Sequence, residues 1–104
     1  MKASTEELLD LPSQFICHED SGHSWLAVPY QLLVQLNIEK RISPSSFRNE
    51  AMTYLEEDRD AKIFLRVFTN LWYKRHNKDV PEDFLVYQYQ HNSFVHQYAS
   101  FYLD

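Results

Sequence analysis

DRDAKIFLRVFTNLWYKRH, residues 58–76, carries the strongest periodic signal in this chain of 104 residues. Ala61, Phe64, Leu65, Phe68, Leu71 and Trp72 recur at helical spacing and form one apolar stripe. Lys62, Arg66 and Asn70 fall on the opposite face. Asp58 stands where a residue caps the first turn, and Asp60 where a carboxylate complements the positive end of the helix dipole. Lys74, Arg75 and His76 stand at the other end, where cations are favoured. A helix with a single apolar stripe must bury it against something, and the neighbouring segments supply strands.

Ala51–Glu57 (AMTYLEE) precedes the helix and reads as a strand, with Met52 and Tyr54 on one face and Thr53 and Leu55 on the other. Phe84–Gln90 (FLVYQYQ) follows a loop over 76–81 and alternates in the same way. Further back, Gln14–Glu19 (QFICHE) and Ser24–Val28 (SWLAV) flank Asp20-Ser21-Gly22-His23, which predicts a hairpin whose glycine turns at positive φ. Pro29 sits at the first position of a second helix that runs through Tyr30–Asn37. Tyr30, Leu33, Val34 and Leu36 are expected to face inward, and Asn37 to stop the helix. Ser43-Pro44-Ser45-Ser46 is a turn leading into a polar extended stretch. Ser4 and Glu7 have capping-box spacing, giving one helical turn that Pro12 ends. The tail over 93–104 is expected to be helical or irregular and packed back on the domain. The sum is a single α+β domain over residues 1–104, with 1–12 loosely attached. Its expected core is a small antiparallel sheet of four to five strands packed against two helices, in the order ββαββαβ.

Composition narrows the function classes. Seven Phe, seven Tyr and two Trp, with 44% hydrophobic residues, are incompatible with a disordered chain. No apolar run approaches the roughly 18 residues that a membrane span requires. The N-terminal residues lack the apolar stretch of a secretory signal. Cys17 is the only cysteine, which precludes an internal disulfide and suits a reducing cytoplasm. A formal charge of −5 argues against broad binding to nucleic acid, which needs a basic surface. A single glycine leaves no phosphate-cradling Gly-rich loop.

Four places carry chemistry-bearing residues. In HEDSGHSW, His18, Asp20 and His23 are candidate metal ligands of the His-plus-carboxylate kind, although the segment lacks the rigid helical spacing of a metalloprotease. The plainer reading is a polar turn. In YLEEDRDA, Glu56, Glu57, Asp58 and Asp60 form an acidic patch suited to a basic partner or to a hard divalent cation. Near the C-terminus, Tyr87, Tyr89, Tyr98, Phe101 and Tyr102 concentrate amphipathic rings of the kind that anchor interfaces. Lys62, Arg66, Lys74, Arg75 and Lys78 form a basic face that reads first as the solvated side of the helix. His91 and His96, five apart, share no helical face well, and Cys17 reads as buried and inert.

The segments HEDSGHSWLAVP (18–29), LLVQLNI (32–38), ISPSSF (42–47), YLEEDRDA (54–61) and HNSFVHQYASF (91–101) together resemble a family of small uncharacterised bacterial proteins encoded on phages, prophages and plasmids. The family pattern has Gly where this chain has Ser24, and frequently Cys where it has Arg59. The resemblance implies a mobile-element accessory protein acting in the bacterial host cytoplasm. By analogy it suggests an inhibitor of a host defence system, of the anti-CRISPR or anti-restriction type.

The leading expectation is therefore a non-enzymatic binding protein without a cofactor. Its partner would be a bacterial host protein such as a nuclease or CRISPR effector subunit, with a second copy of the chain as a further partner. The contact residues would be Glu56, Glu57, Asp58, Asp60, Tyr87, Tyr89, Tyr98 and Tyr102. The alternatives are a small metal-dependent enzyme built on His18, Asp20 and His23, and, more weakly, a nucleic-acid-associated regulator using the basic face.

Overall fold

A computed structural model describes residues 11–20 and 22–89, and the backbone of 99–100. The elements in chain order are β1 (Phe15–Glu19), β2 (Ser24–Pro29), α1 (Tyr30–Gln35), a 3-10 turn (Glu39–Arg41), β3 (Phe47–Asn49), β4 (Met52–Glu56), α2 (Asp60–His76), β5 (Leu85–Tyr89) and β6 (Ala99–Ser100). The α+β class and the ββαββαβ order are those expected, with one further short strand. The six strands form one sheet in the order β5-β1-β2-β4-β3-β6.

The sheet is mixed, which corrects the expectation of an antiparallel one. The β1–β2, β2–β4, β3–β4 and β3–β6 pairs are antiparallel, but β1 and β5 run parallel, with Phe15 opposite Leu85 and Glu19 opposite Tyr89. Parallel neighbours need a long crossover. Here it comprises everything between the first and fifth strands. The tail is also corrected at Ala99–Ser100, where it is extended and paired with β3.

Alternation along the strands divides the core into two sides. On one face Phe15, Leu26, Val28 and Leu55 meet Leu32 and Leu33 of α1 and Ala61, Phe64, Phe68 and Trp72 of α2. On the other face Trp25, Ala27 and Tyr54 form a smaller cluster joined by Phe47 and Met52. Strand β2 is thus buried on both sides, which is why SWLAV lacks polar alternation. Thr53, buried within β4, satisfies its hydroxyl by donating to the Val28 carbonyl at 2.6 Å.

The α2 stripe behaves as its spacing predicts. Phe64 and Phe68 are fully buried, Ala61 and Trp72 nearly so, and Leu65 and Leu71 half-buried. Phe15 lies edge-on to Phe64, Phe68 and Phe84 at centroid distances of 5.2, 5.1 and 5.6 Å. Phe68 stacks on Phe84 at 5.6 Å. These rings tie β1, α2 and the entry to β5 together, and burial of each contributes about 2–3 kcal/mol. Asn77 ends α2 in the left-handed conformation (φ 56°), its N–H donating to the Tyr73 carbonyl at 2.8 Å. Asn37 plays the same part after α1, at φ 62°.

Local details differ from expectation. In α1 it is Leu32 and Leu33 that are buried, while Val34 is exposed. Pro29 closes β2 as the cap of α1 and is not its first helical residue. Gly22 does not adopt positive φ. The hairpin turn is held instead by Asp20, whose carboxylate accepts from the backbone N–H of Gly22 at 3.0 Å and of His23 at 2.9 Å. Asp58 makes no cap either. The cap position of α2 is Arg59, and the Glu56 carboxylate accepts from the Asp58 and Arg59 N–H groups at 2.6 and 3.1 Å.

Candidate functional site

The hairpin register brings the odd residues of β1 and the even residues of β2 to the α2 side. Cys17 lies opposite Leu26, and Glu19 opposite Ser24. The β1–β5 register adds Leu85 and Tyr87 to the same side. Above them, the turn into α2 presents Glu57, and the first turns of the helix present Lys62 and Leu65. These residues enclose a cavity of about 210 Å³ between the sheet and the helix. Leu26, Leu65, Leu85 and the ring of Tyr87 form its apolar walls, and Cys17, Ser24 and Glu57 form a polar end.

The polar end is internally bonded. The Ser24 hydroxyl donates to a Glu57 carboxylate oxygen, and Cys17 lines the same end of the cavity. Burial pushes the Cys17 thiol up from its ordinary pKa. Ser24 opposes this, and the Glu19 and Glu57 carboxylates reinforce it. A thiol held protonated in this way is a poor nucleophile. The arrangement suits holding a side chain or small group rather than attacking one. Lys62 forms no ion pair with Glu19 or Glu57, and neither carboxylate has a cationic partner among the described residues.

The acidic segment divides into different roles. Glu57 and Asp58 are exposed. The Glu56 carboxylate is engaged by the turn before α2. Asp60 is fully buried, which corrects its assignment to a surface patch. One of its oxygens accepts from the Ser43 N–H at 3.0 Å, the Ser43 hydroxyl at 2.7 Å and the Ser46 hydroxyl at 2.5 Å. The other accepts from Arg59 at 3.0 Å. Buried carboxylates persist when all their lone pairs are used, and Asp60 is a structural hub of that kind.

Tyr87 and Tyr89 are 59% and 62% exposed, on a strand at the end of the sheet order. Tyr98, Tyr102, His91 and His96 lie outside the described residues. His18 faces the second cluster, its ring 5.9 Å from that of Tyr54, and burial lowers its pKa. The His23 ring lies 5.5 Å from that of Trp25, and the Asp20 carboxylate holds the hairpin turn. Among the described residues, no three His, Cys, Asp or Glu side chains are grouped to hold a metal ion, so His18, Asp20 and His23 do not form the ligand set considered from sequence. The basic residues Lys62, Arg66, Lys74 and Lys78 are exposed on and after α2. Also among these residues, no helix is long and apolar enough to cross a membrane.

Sequence reading overlooked Ser24, Leu65 and the placement of Cys17 within a cavity. A signal for the Cys17–Ser24 pair was present: with Glu19 opposite Ser24, a hairpin puts Cys17, Glu19 and Ser24 on one face. The helix wall of the cavity has no such local signature. Comparison with protein-family models, curated proteins and solved structures gives no match.

Proposed function

We propose that this chain is a binding protein, a mobile-element accessory factor that occupies a surface of a bacterial host protein in the host cytoplasm. A nuclease or CRISPR effector subunit is the class of target. The observation that carries this reading is that Glu57 and Tyr87, thirty positions apart, line one cavity. The acidic segment and the tyrosine-rich strand are then parts of one surface, with Tyr89 exposed beside it. Exposed tyrosines around an apolar recess are the usual anchors of protein interfaces, and a carboxylate at the recess supplies orientation. The protonated thiol and the committed Asp20 carboxylate favour binding over catalysis.

The test is site-specific photocrosslinking in bacterial host lysate, with the crosslinking residue at position 87 or 89 and, as control, at Asn70 on the exposed side of α2. The expected result is a discrete host protein crosslinked from 87 and 89 and not from 70, lost on Glu57→Lys. Equal products from all three positions, or none, would overturn the reading.

A further inference from the structure

Strand β5 is the long edge of the sheet. The opposite edge, β6, is only two residues long, and short edges resist further pairing. The sequence of β5, LVYQY, carries neither charge nor proline, the residues that ordinarily keep an edge from acquiring another strand. The hydrogen-bond phase of the edge follows from its register. Phe15 lies opposite Leu85, and the Phe15 N–H donates to the Phe84 carbonyl at 2.9 Å. In a parallel ladder this phase turns the backbone groups of residues 84, 86 and 88 toward β1. Those of Leu85, Tyr87 and Tyr89 then point outward, and no described strand pairs with them. The side chains of Leu85 and Tyr87 border the cavity, so outward backbone groups and recess are adjacent.

The chemistry of the recess selects an occupant. Its walls are apolar, while Glu57 at its end and Glu19 on the same face beside Ser24 have no cationic partner among the described residues. With Lys62 at the rim the local charge remains negative, as is the formal −5 of the whole chain. A long aliphatic stem ending in a cation matches both features, and its charge can also lie over the Tyr87 ring.

We propose that the outer edge of β5 receives an extended strand from the partner protein, with one arginine or lysine of that strand entering the recess between β5 and α2 toward Glu57. This rests on the binding reading and gives it a mode: backbone pairing provides affinity, and the recess provides side-chain selection.

The probe is a phage-displayed library of random dodecapeptides, panned on the full chain, followed by a synthetic peptide of the enriched sequence. The expected consensus is one Arg or Lys at a fixed position within alternating β-forming residues. Its affinity should fall roughly tenfold on Glu57→Gln, and Tyr89→Pro should cost roughly tenfold more than Tyr89→Ala, the excess being the lost outward N–H. Tyr89→Pro removes an outward N–H and leaves the β1 ladder intact. If thermal melting shows that it unfolds, hydrogen exchange on the unaltered chain decides the matter: bound peptide should protect the Tyr87 and Tyr89 amides. An enriched sequence without a cation, or unprotected amides, would overturn the proposal. So would a concentration-dependent dimer in sedimentation that Tyr89→Ala preserves and Tyr89→Pro dissociates, since the occupant would then be a second copy. No enrichment would also overturn strand docking, yet the binding reading would stand if crosslinking from position 87 persisted.

Discussion

The Ser46 hydroxyl donates to the Asp60 carboxylate at 2.5 Å, and both side chains are wholly excluded from solvent. The same hydroxyl accepts from the Glu56 N–H at 2.9 Å. A loop serine, the end of β4 and the start of α2 are therefore fixed to one another. Removing the carboxylate leaves the Ser43 and Ser46 hydroxyls and the Ser43 N–H without an acceptor. Asp60→Ala should lower stability by about 3–5 kcal/mol, and Ser46→Ala by about 2 kcal/mol. Urea denaturation at neutral pH measures both, and a loss below about 1 kcal/mol for Asp60→Ala would mean that the network does not hold these elements.

Phe68 touches Phe15, Phe64, Phe84 and Trp72 and is fully buried. Phe68→Ala opens a cavity where β1, α2 and the entry to β5 converge, and should cost about 4 kcal/mol. Phe68→Leu retains more of the volume and should cost less than half as much. Denaturant melts of the two variants give the comparison.

The Cys17 thiol is pushed up chiefly by burial, an effect that Ser24 opposes and that Glu19 and Glu57 reinforce. At pH 8 the folded chain should therefore react with iodoacetamide at least roughly tenfold more slowly than the same chain in denaturant. Glu57→Gln removes one of the charges that disfavour the thiolate and should speed labelling of the folded protein. Mass spectrometry over a time course reads both rates.

Burial lowers the pKa of His18 from its ordinary 6.5. As pH falls below that value the unfolded chain takes up the proton first, so folding stability decreases. The contribution is complete above the unfolded pKa and is lost as pH falls through the lowered folded one. Melting temperature should thus decline between pH 7 and about pH 5.5, in the window just below the ordinary His value. His18→Gln should flatten that decline. An unchanged slope in the variant would assign the pH dependence to other groups.

The parts of this fold that were readable in advance are those whose signal is local. The α2 stripe named its buried faces because Phe64, Phe68 and Trp72 repeat at the helical period. Met52 and Tyr54 separated from Thr53 and Leu55 because strands alternate. The pairing of β1 with β5 was hidden, since nothing within FICHE or LVYQY records that the two strands run the same way. Asp60 misled for a related reason. At a helix start its charge has a sufficient local explanation, and the serines that bury it arrive from a loop fourteen to seventeen positions earlier. In the candidate site, Tyr87 and Tyr89 are exposed, whereas the meeting of Tyr87 with Glu57 depended on the long-range register.

The parallel partnership of β1 and β5 also sets an order of events during synthesis. The first strand leaves the ribosome with its hairpin partner close behind, but its other neighbour is encoded some seventy residues later. Until then one flank of β1 stays open, and Phe15 lacks the ring of Phe84 against which it finally packs. Pairings this distant in sequence slow folding. The nascent protein must therefore keep β1 waiting for some seventy residues of further synthesis, and the surface built around Tyr87 forms only after that.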